Sequence, residues 1–478
     1  MAVGINIRTA TRSGPVNPTV PASGRYFVVG QFDRGRTDVA QRVRSLAELE
    51  VLYGGRVSYG SAYDDLRMFF EEGGTEAHVI RVVGPAATVG TLTLDGAGGV
   101  DSVRIDALGA GAWSADVDVT VAAGSIAGIK VTIDGPLEGD TENYDNLESA
   151  AAVASALATS RYVKGTDLGG PIPVAIAATA LSAGADDRAS ITATHMTNAL
   201  DLLDIALGAG AVAIPGYASS LVGAGLMEHA KENRRLAILA AARGASDADY
   251  IAAAAARLAP DGEHGGIFGP WLEVPLGNGV TKLVSPEGYV AAKRALAHLS
   301  EGPWATPIGE PSVARFVLGT ERAITRAQGN TLEEANVNPI RVVQNTTRIY
   351  GYRSLSTDLA NYALLIGRDV LNYVADEADR RLERFVGRPV DGKGQLLASV
   401  ASELVGILDP MRQAGGLYER VVDGQLIDPG YSVDVGPTVN TAAVLNANTV
   451  AAVVALRVSP VAALIDLTIV KAGLTATV

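Results

Sequence analysis

The sequence predicts an α/β (α+β) core with a mixed sheet and flanking helices, plus an inserted mostly-β domain and extended N- and C-terminal arms. Three observations carry this. Strand-type and helix-type segments alternate over residues 25–85 and again over 191–330, the pattern of a parallel or mixed sheet with helices on its faces. Between those stretches, residues 86–190 are rich in Thr, Val, Gly and Asp and carry short β-type runs. Both ends hold brief apolar/polar alternations, the first followed by Pro and Gly, which favour extended chain.

Composition narrows the function classes. The 478 residues give room for several domains, roughly two to four. Hydrophobic residues make up 48% and charged ones 19%, which excludes a disordered or collagen-like chain. The net charge of −13 makes nucleic acid a poor partner. Cysteine is absent, which removes disulfides, thiolate metal sites and cysteine nucleophiles together. The N-terminus lacks the apolar core of a signal peptide. The apolar region from Thr449 to Val470 is broken by Arg457, Pro460 and Asp466, so no membrane insertion is expected.

In order, residues 1–24 read as an arm in which Val3, Ile5 and Ile7 alternate with Gly4, Asn6 and Arg8. Residues 25–85 begin the core, with strands at Tyr26–Gln31 and Ala77–Val83. Ser45 caps a helix through Leu52, and Ser61–Glu72 forms another with Leu66, Phe69 and Phe70 inward. Within 86–190, strands are expected at Thr91–Leu94, Val100–Ile105, Val117–Val121 and Ile129–Ile133, with a helix over Leu147–Leu157. Residues 191–330 resume the alternation. Helices are read at His195–Leu207, Gly225–Asn233, Asp247–Leu258 and from Pro286 to Leu299, and strands at Ala211–Ile214, Leu236–Ala240 and Gly265–Val274.

Residues 331–463 open with a hairpin, Ile340–Val343 and Arg348–Tyr352, around a four-residue turn Gln344-Asn345-Thr346-Thr347. Ser356, Thr357 and Asp358 are capable caps for a long helix whose apolar stripe is Leu371, Val374, Ala378, Leu382 and Phe385. Asp376 with Arg380 and Glu377 with Arg381 are i,i+4 pairs. A second amphipathic helix, Leu396–Ile407 with Leu397, Val400 and Leu404, is expected to end by Pro410 and Gly415-Gly416. Strands follow at Leu417–Val422, Tyr431–Val435 and Thr449–Val458. In the last segment, 464–478, Ile465, Leu467 and Ile469 alternate against Asp466 and Thr468.

No catalytic constellation emerges. His78, His195, His229, His264 and His298 have no metal-ligand spacing to one another and read as structural or surface residues. Asp64-Asp65 and Asp186-Asp187 read as solvated turns, because adjacent side chains on one element point apart. Gly208-Ala209-Gly210 precedes a strand, the wrong order for a dinucleotide loop, and no cofactor or metal is expected.

The wording of Asn336–Phe385 goes further. Asn-x-Asn-Pro-Ile-Arg-Val, then Tyr-Gly-Tyr-Arg-Ser-Leu-Ser-Thr-Asp and a long helix, resembles the C-terminal core of contractile tail sheath proteins. Gly351, Arg353, Leu355, Ser356 and Asp358 match that family's phrase, while Tyr352 stands where Ala is usual and Ser354 where Thr is. The run Phe69-Phe70-Glu71-Glu72-Gly73-Gly74 is similar to another family phrase, with Glu72 in place of Asn. The resemblance covers most of 20–120 and 205–470 and implies a non-enzymatic subunit of a phage tail, assembled in the host cytoplasm. It further implies partners: other copies in stacked hexameric rings, an inner tail tube protein, and baseplate and tail terminator proteins. The inserted domain would lie on the outer surface. The two arm strands, Val3, Ile5, Ile7 and Ile465, Leu467, Ile469, are expected to join a neighbour's sheet. Two readings stay open beside it: a non-contractile shell or surface-layer protein, and an α/β hydrolase or transferase.

Overall fold

Eight strands form the main sheet in the order Thr346–Ile349, Val337–Val343, Gly265–Gly269, Arg235–Ala240, Gly210–Ala213, Arg25–Gly30, Ala77–Arg81 and Gln41–Val43. The six inner strands run parallel and the two edge strands antiparallel, so the sheet is mixed, as expected. The computed structural model describes residues 22–137 and 139–462. The arm strands centred on Val3, Ile5, Ile7 and on Ile465, Leu467, Ile469 therefore lie outside the described residues.

The inner strands are apolar on both faces because helices cover both. In Arg25–Gly30, Tyr26 and Val28 pack into one core while Phe27 and Val29 pack into the other. The first core takes the helices Ala62–Glu71 and Glu287–Ser300; the second takes Ser219–Glu232 and Asp247–Ala255. Local chemistry sets the ends of these helices. Ser45 accepts from the Glu48 N–H, and Ser246 and Asp249 form a reciprocal capping box.

Residues 91–180 build two further sheets on their own core. One joins Thr91–Asp95, Asp101–Ala107 and Val163–Asp167; the other joins Ile176–Ala180, Asp118–Ala123, Ile129–Asp134 and Thr141–Leu147. Val103, Ile105, Trp113, Val119 and Val131 fill the space between them, with Leu157 of the helix Ala150–Leu157. The strands at 141–147, 163–167 and 176–180 were not expected. They are largely polar or exposed, so no apolar run announces them. Buried Arg81 ties this region to the main sheet. Its guanidinium donates to the carbonyls of Phe32 and Asp33 at 3.1 Å and of Ala110 at 2.5 Å.

Several expectations need correction. The hairpin turn is two residues, Gln344-Asn345, both at positive φ, and Thr346 and Thr347 belong to the strand. Asp358 caps only the short turn Leu359–Tyr362; the long helix begins at Ile366. Of the expected stripe Val374 is buried and Ala378 packs on the same cluster, while Ile366 and Val370 face inward and Leu371, Leu382 and Phe385 are only half-buried, because the helix docks across Gln395–Gln413. That second helix runs past Pro410 to Gln413. The expected strand Gly265–Val274 divides at Pro270, and Leu272–Gly277 pairs instead with Val280–Val284. The expected helix His195–Leu207 is helical only to Asn198, followed by two 3-10 turns. Phe70 is only half-buried, unlike Leu66 and Phe69.

The loop before Gly265 is threaded against the chain after the hairpin. Leu355 donates to Gly262 O at 3.1 Å and accepts from Ala259 N–H at 3.1 Å. A Cβ on Gly262 would stand 1.9 Å from the Leu355 carbonyl oxygen. Gly262→Ala is expected to destabilise the fold by about 1–3 kcal/mol, read as a lowered denaturant midpoint at unchanged slope.

Candidate assembly surface

The C-terminal part of the described chain is a pair of helices carrying a sheet too small to stand alone. Helices Ile366–Leu382 and Gln395–Gln413 bury Val370, Val374, Ile407, Leu408 and Met411 between them. Tyr431–Asp434 and Val453–Leu456 pair antiparallel, and Tyr431, Val433, Val454 and Leu456 lie on that apolar cluster. Ser432, Asp434, Val453 and Ala455 alternate onto the other face. Two strands alone are marginal in water, so this pair depends on the helices beneath it.

Its register decides which main-chain groups are free. Arg457 N–H donates to Gly430 O at 2.7 Å, which makes Tyr431 and Leu456 a non-hydrogen-bonded pair and Ser432 and Ala455 a hydrogen-bonded one. The N–H and C=O groups of Tyr431 and Val433 thus point away on one side, and those of Val454 and Leu456 on the other. Among the described residues no further strand joins either edge of this ladder. Beside the Val454 edge runs a groove of about 540 Å³, lined by Leu364, Ile366, Leu371, Val454, Leu456 and Val458. A neighbouring hairpin, Arg420–Val422 with Gln425–Asp428, leaves Val421, Val422, Leu426 and Ile427 exposed. On the long helix, Glu377 bonds both Arg380 and Arg381, so Arg380 turns to Glu377 rather than to the expected Asp376.

Buried ions lock this part to the main sheet. Asp369, fully buried on the long helix, accepts from Arg294 Nε at 3.0 Å and Nη2 at 2.5 Å, and from the Tyr352 hydroxyl at 2.6 Å. Burial alone would raise its pKa, but the charge and bonds of Arg294 hold it well below the usual carboxylate range. His298 lies 3.6 Å from Asp369, and burial, then the Arg294 charge, push its pKa down. A second pair joins Lys293 to Glu72 at 2.6 Å. The Glu72 carboxylate also accepts the backbone N–H groups of Arg315, Phe316 and Val317 at 2.8–2.9 Å. Nothing in the spacing of the sequence announced these pairs, whose partners are 75 and 221 residues apart.

The reading of Asp64-Asp65 as a solvated turn is overturned. Both are buried on the helix Ala62–Glu71 and face different partners, as adjacent helical positions must. Asp64 bonds Arg56 and Lys282, each at 2.6 Å, while Asp65 accepts from the Tyr26 hydroxyl at 2.8 Å and the Gly288 N–H at 2.7 Å. Asp186 pairs with exposed Arg188 and with the buried Arg81, and Asp187 takes a left-handed conformation before a 3-10 turn, so the pair sits in a loop but Asp186 is not solvated. His78, His229, His264 and His298 are buried, while His195 closes a capping box at the surface. Among the described residues no group of three or more His, Asp or Glu is arranged to hold a metal ion, and no helix is long and apolar enough to cross a membrane.

Glu287 sits behind Asp65, fully buried, and burial raises its pKa to about 7 from the usual 4.5. A carboxyl whose folded pKa is raised adds stability at low pH that is lost as pH climbs from about 4.5 through about 7. Glu287→Gln is therefore expected to stabilise the fold at pH 8 by up to about 3 kcal/mol, seen as a higher melting temperature, and to give no gain near pH 4. Thermal melts of both proteins across that range check it.

No protein-family model matches the chain. No curated protein sequence matches it either. Solved structures do. The sheath tail protein of Listeria innocua is 13% identical with a TM-score of 0.60, covering 87% of this chain and 89% of that one. The sheath tail protein of Desulfitobacterium hafniense is 15% identical with a TM-score of 0.53, over 91% and 93%. The helical sheath of the anti-feeding prophage in its contracted state gives 13% identity and a TM-score of 0.56 over 98% and 99%. Along nearly its whole length the chain thus has the fold of a tail sheath protein, the family whose phrases Asn336–Phe385 resembles.

Proposed function

We propose that the chain is the structural, non-enzymatic subunit of a contractile tail sheath, polymerising around an inner tube and shortening to drive that tube through a host envelope. The observation that carries this reading is the two-stranded sheet Tyr431–Asp434 and Val453–Leu456, whose two outer edges face no other strand among the described residues. The likeness in fold to sheath proteins over nearly the full length supports it. Unpaired main-chain groups on a strand edge accept a foreign strand by β-augmentation. The donors in this reading are the alternating ends of neighbouring copies, Val3, Ile5, Ile7 and Ile465, Leu467, Ile469. Such a contact joins unlike surfaces of successive copies, so it propagates into stacked rings or a helix rather than closing as a dimer.

The same contact suits a contracting tube. Main-chain bonds in the donated strands persist while Pro- and Gly-containing linkers let rigid bodies turn and slide. The long form is then a kinetically trapped state that relaxes without ATP to a shorter, better-packed one. The inner tail tube, baseplate and tail terminator proteins are the further partners in this reading, and the setting is a phage tail or a related injection particle. Neighbours in fold come from a prophage sheath and its baseplate.

Deleting residues 1–20 is expected to leave a folded monomer that forms no tubes in electron micrographs; tubes of normal length from that variant refute strand donation. Ile465→Asp places a charge where the donated strand meets an apolar cluster and is expected to cut tube yield by about tenfold or more. Two tube lengths before and after acid or urea treatment distinguish a contracting sheath from a static shell; one unchanged length refutes contraction.

A further inference from the structure

The last residues before the first core strand are held in an unusual way. Ala22–Gly24 form a single 3-10 turn, and Ser23 within it is buried. Arg294 Nη1 donates to the Ser23 carbonyl at 2.5 Å, and His298 Nδ1 lies 3.1 Å from the Ser23 hydroxyl. Both residues stand on the helix Glu287–Ser300, one turn apart, and so reach the same place. Arg294 is in turn held by Asp369 of the long helix, and Asp369 by the hydroxyl of Tyr352 that follows the hairpin. Five side chains from four separate stretches thus converge on the point where the N-terminal segment joins the body. A buried guanidinium aimed at a main-chain carbonyl is costly to desolvate, and stability alone would be served as well by apolar packing.

We propose that Arg294, His298, Asp369 and Tyr352 are positioning residues that fix where and in which direction the N-terminal segment leaves the body. This rests on the reading of that segment as a donated strand and deepens it. A donated strand reaches a neighbour's edge only if its root is oriented, because a free root spreads the strand over a large volume and lowers its effective concentration at the acceptor. The anchor couples that root to the long helix, which also carries the acceptor sheet through Val370 and Val374. Root and acceptor within one copy are thereby fixed relative to each other by a single buried carboxylate. A chain of such copies then repeats with a constant step.

The test compares three variants of the full chain. Arg294→Lys with Ser23→Ala keeps a positive charge beside Asp369 and removes the reach to the Ser23 carbonyl and its hydroxyl. Tyr352→Phe removes one hydroxyl and serves where the double variant fails to fold. Leu226→Ala, in the core on the opposite face of the main sheet, is the control for lost stability alone. The expected result is a tube yield or elongation rate about tenfold lower for the anchor variants, the effect of one lost charge-assisted hydrogen bond. The control, equally or more destabilised, is expected to form tubes as the parent does. In the monomer, hydrogen exchange is expected to speed up at Ser23 and Gly24 while Tyr26–Val29 stay protected. Anchor variants that form tubes at the parent's rate and length overturn the proposal, as does a control that loses assembly in proportion to stability. If the 1–20 deletion also forms normal tubes, strand donation itself fails; if that deletion blocks assembly while anchor variants assemble normally, only the anchor fails.

Discussion

Asp369 is the constraint on which the C-terminal half depends. A carboxylate with no solvent contact is tolerable only when it is paired and hydrogen-bonded, and here Arg294 and Tyr352 supply three donors to it. Removing one partner would leave an uncompensated charge in the interior, at a cost of about 3–5 kcal/mol. The relative placement of the helices Glu287–Ser300 and Ile366–Leu382 is therefore discrete. They dock with this pair made, and the small sheet on the far side of the long helix inherits that placement.

The two kinds of sheet in the molecule obey opposite logics. The main sheet ends in one short edge strand of three residues, Gln41–Val43, and in the hairpin strand Thr346–Ile349, and its inner strands are covered on both faces. That arrangement resists intrusion by another chain. The sheet Tyr431–Asp434 with Val453–Leu456 is the reverse: two strands, one apolar face resting on helices, and a groove beside one edge.

Two departures from the sheath phrases acquire a physical meaning. Tyr352, where Ala is usual, supplies the hydroxyl on Asp369. Glu72, where Asn is usual, gathers three backbone N–H groups and the Lys293 ammonium. A neutral Asn at position 72 would not balance a buried lysine, so the acid at 72 and the base at 293 belong together.

Much of the fold was legible in the residues. Apolar runs such as Tyr26–Val29 and Leu236–Ala240 marked inner strands, because burial on both faces demands continuous apolar sequence. Ser45 and Ser246 marked helix starts, because capping is settled within three residues. What the sequence by itself determined, then, was whatever local periodicity and capping encode: the class, the alternation, the hairpin and the two long helices. Only the tertiary structure decided that Asp64 and Asp65 are interior, that the inward stripe of the long helix runs through Val370, and that Ser23 meets Arg294. Those outcomes depend chiefly on distant partners: Tyr26 lies 39 residues from Asp65, Lys282 218 from Asp64 and Arg294 271 from Ser23, and no local pattern carries the free energy of contacts that distant.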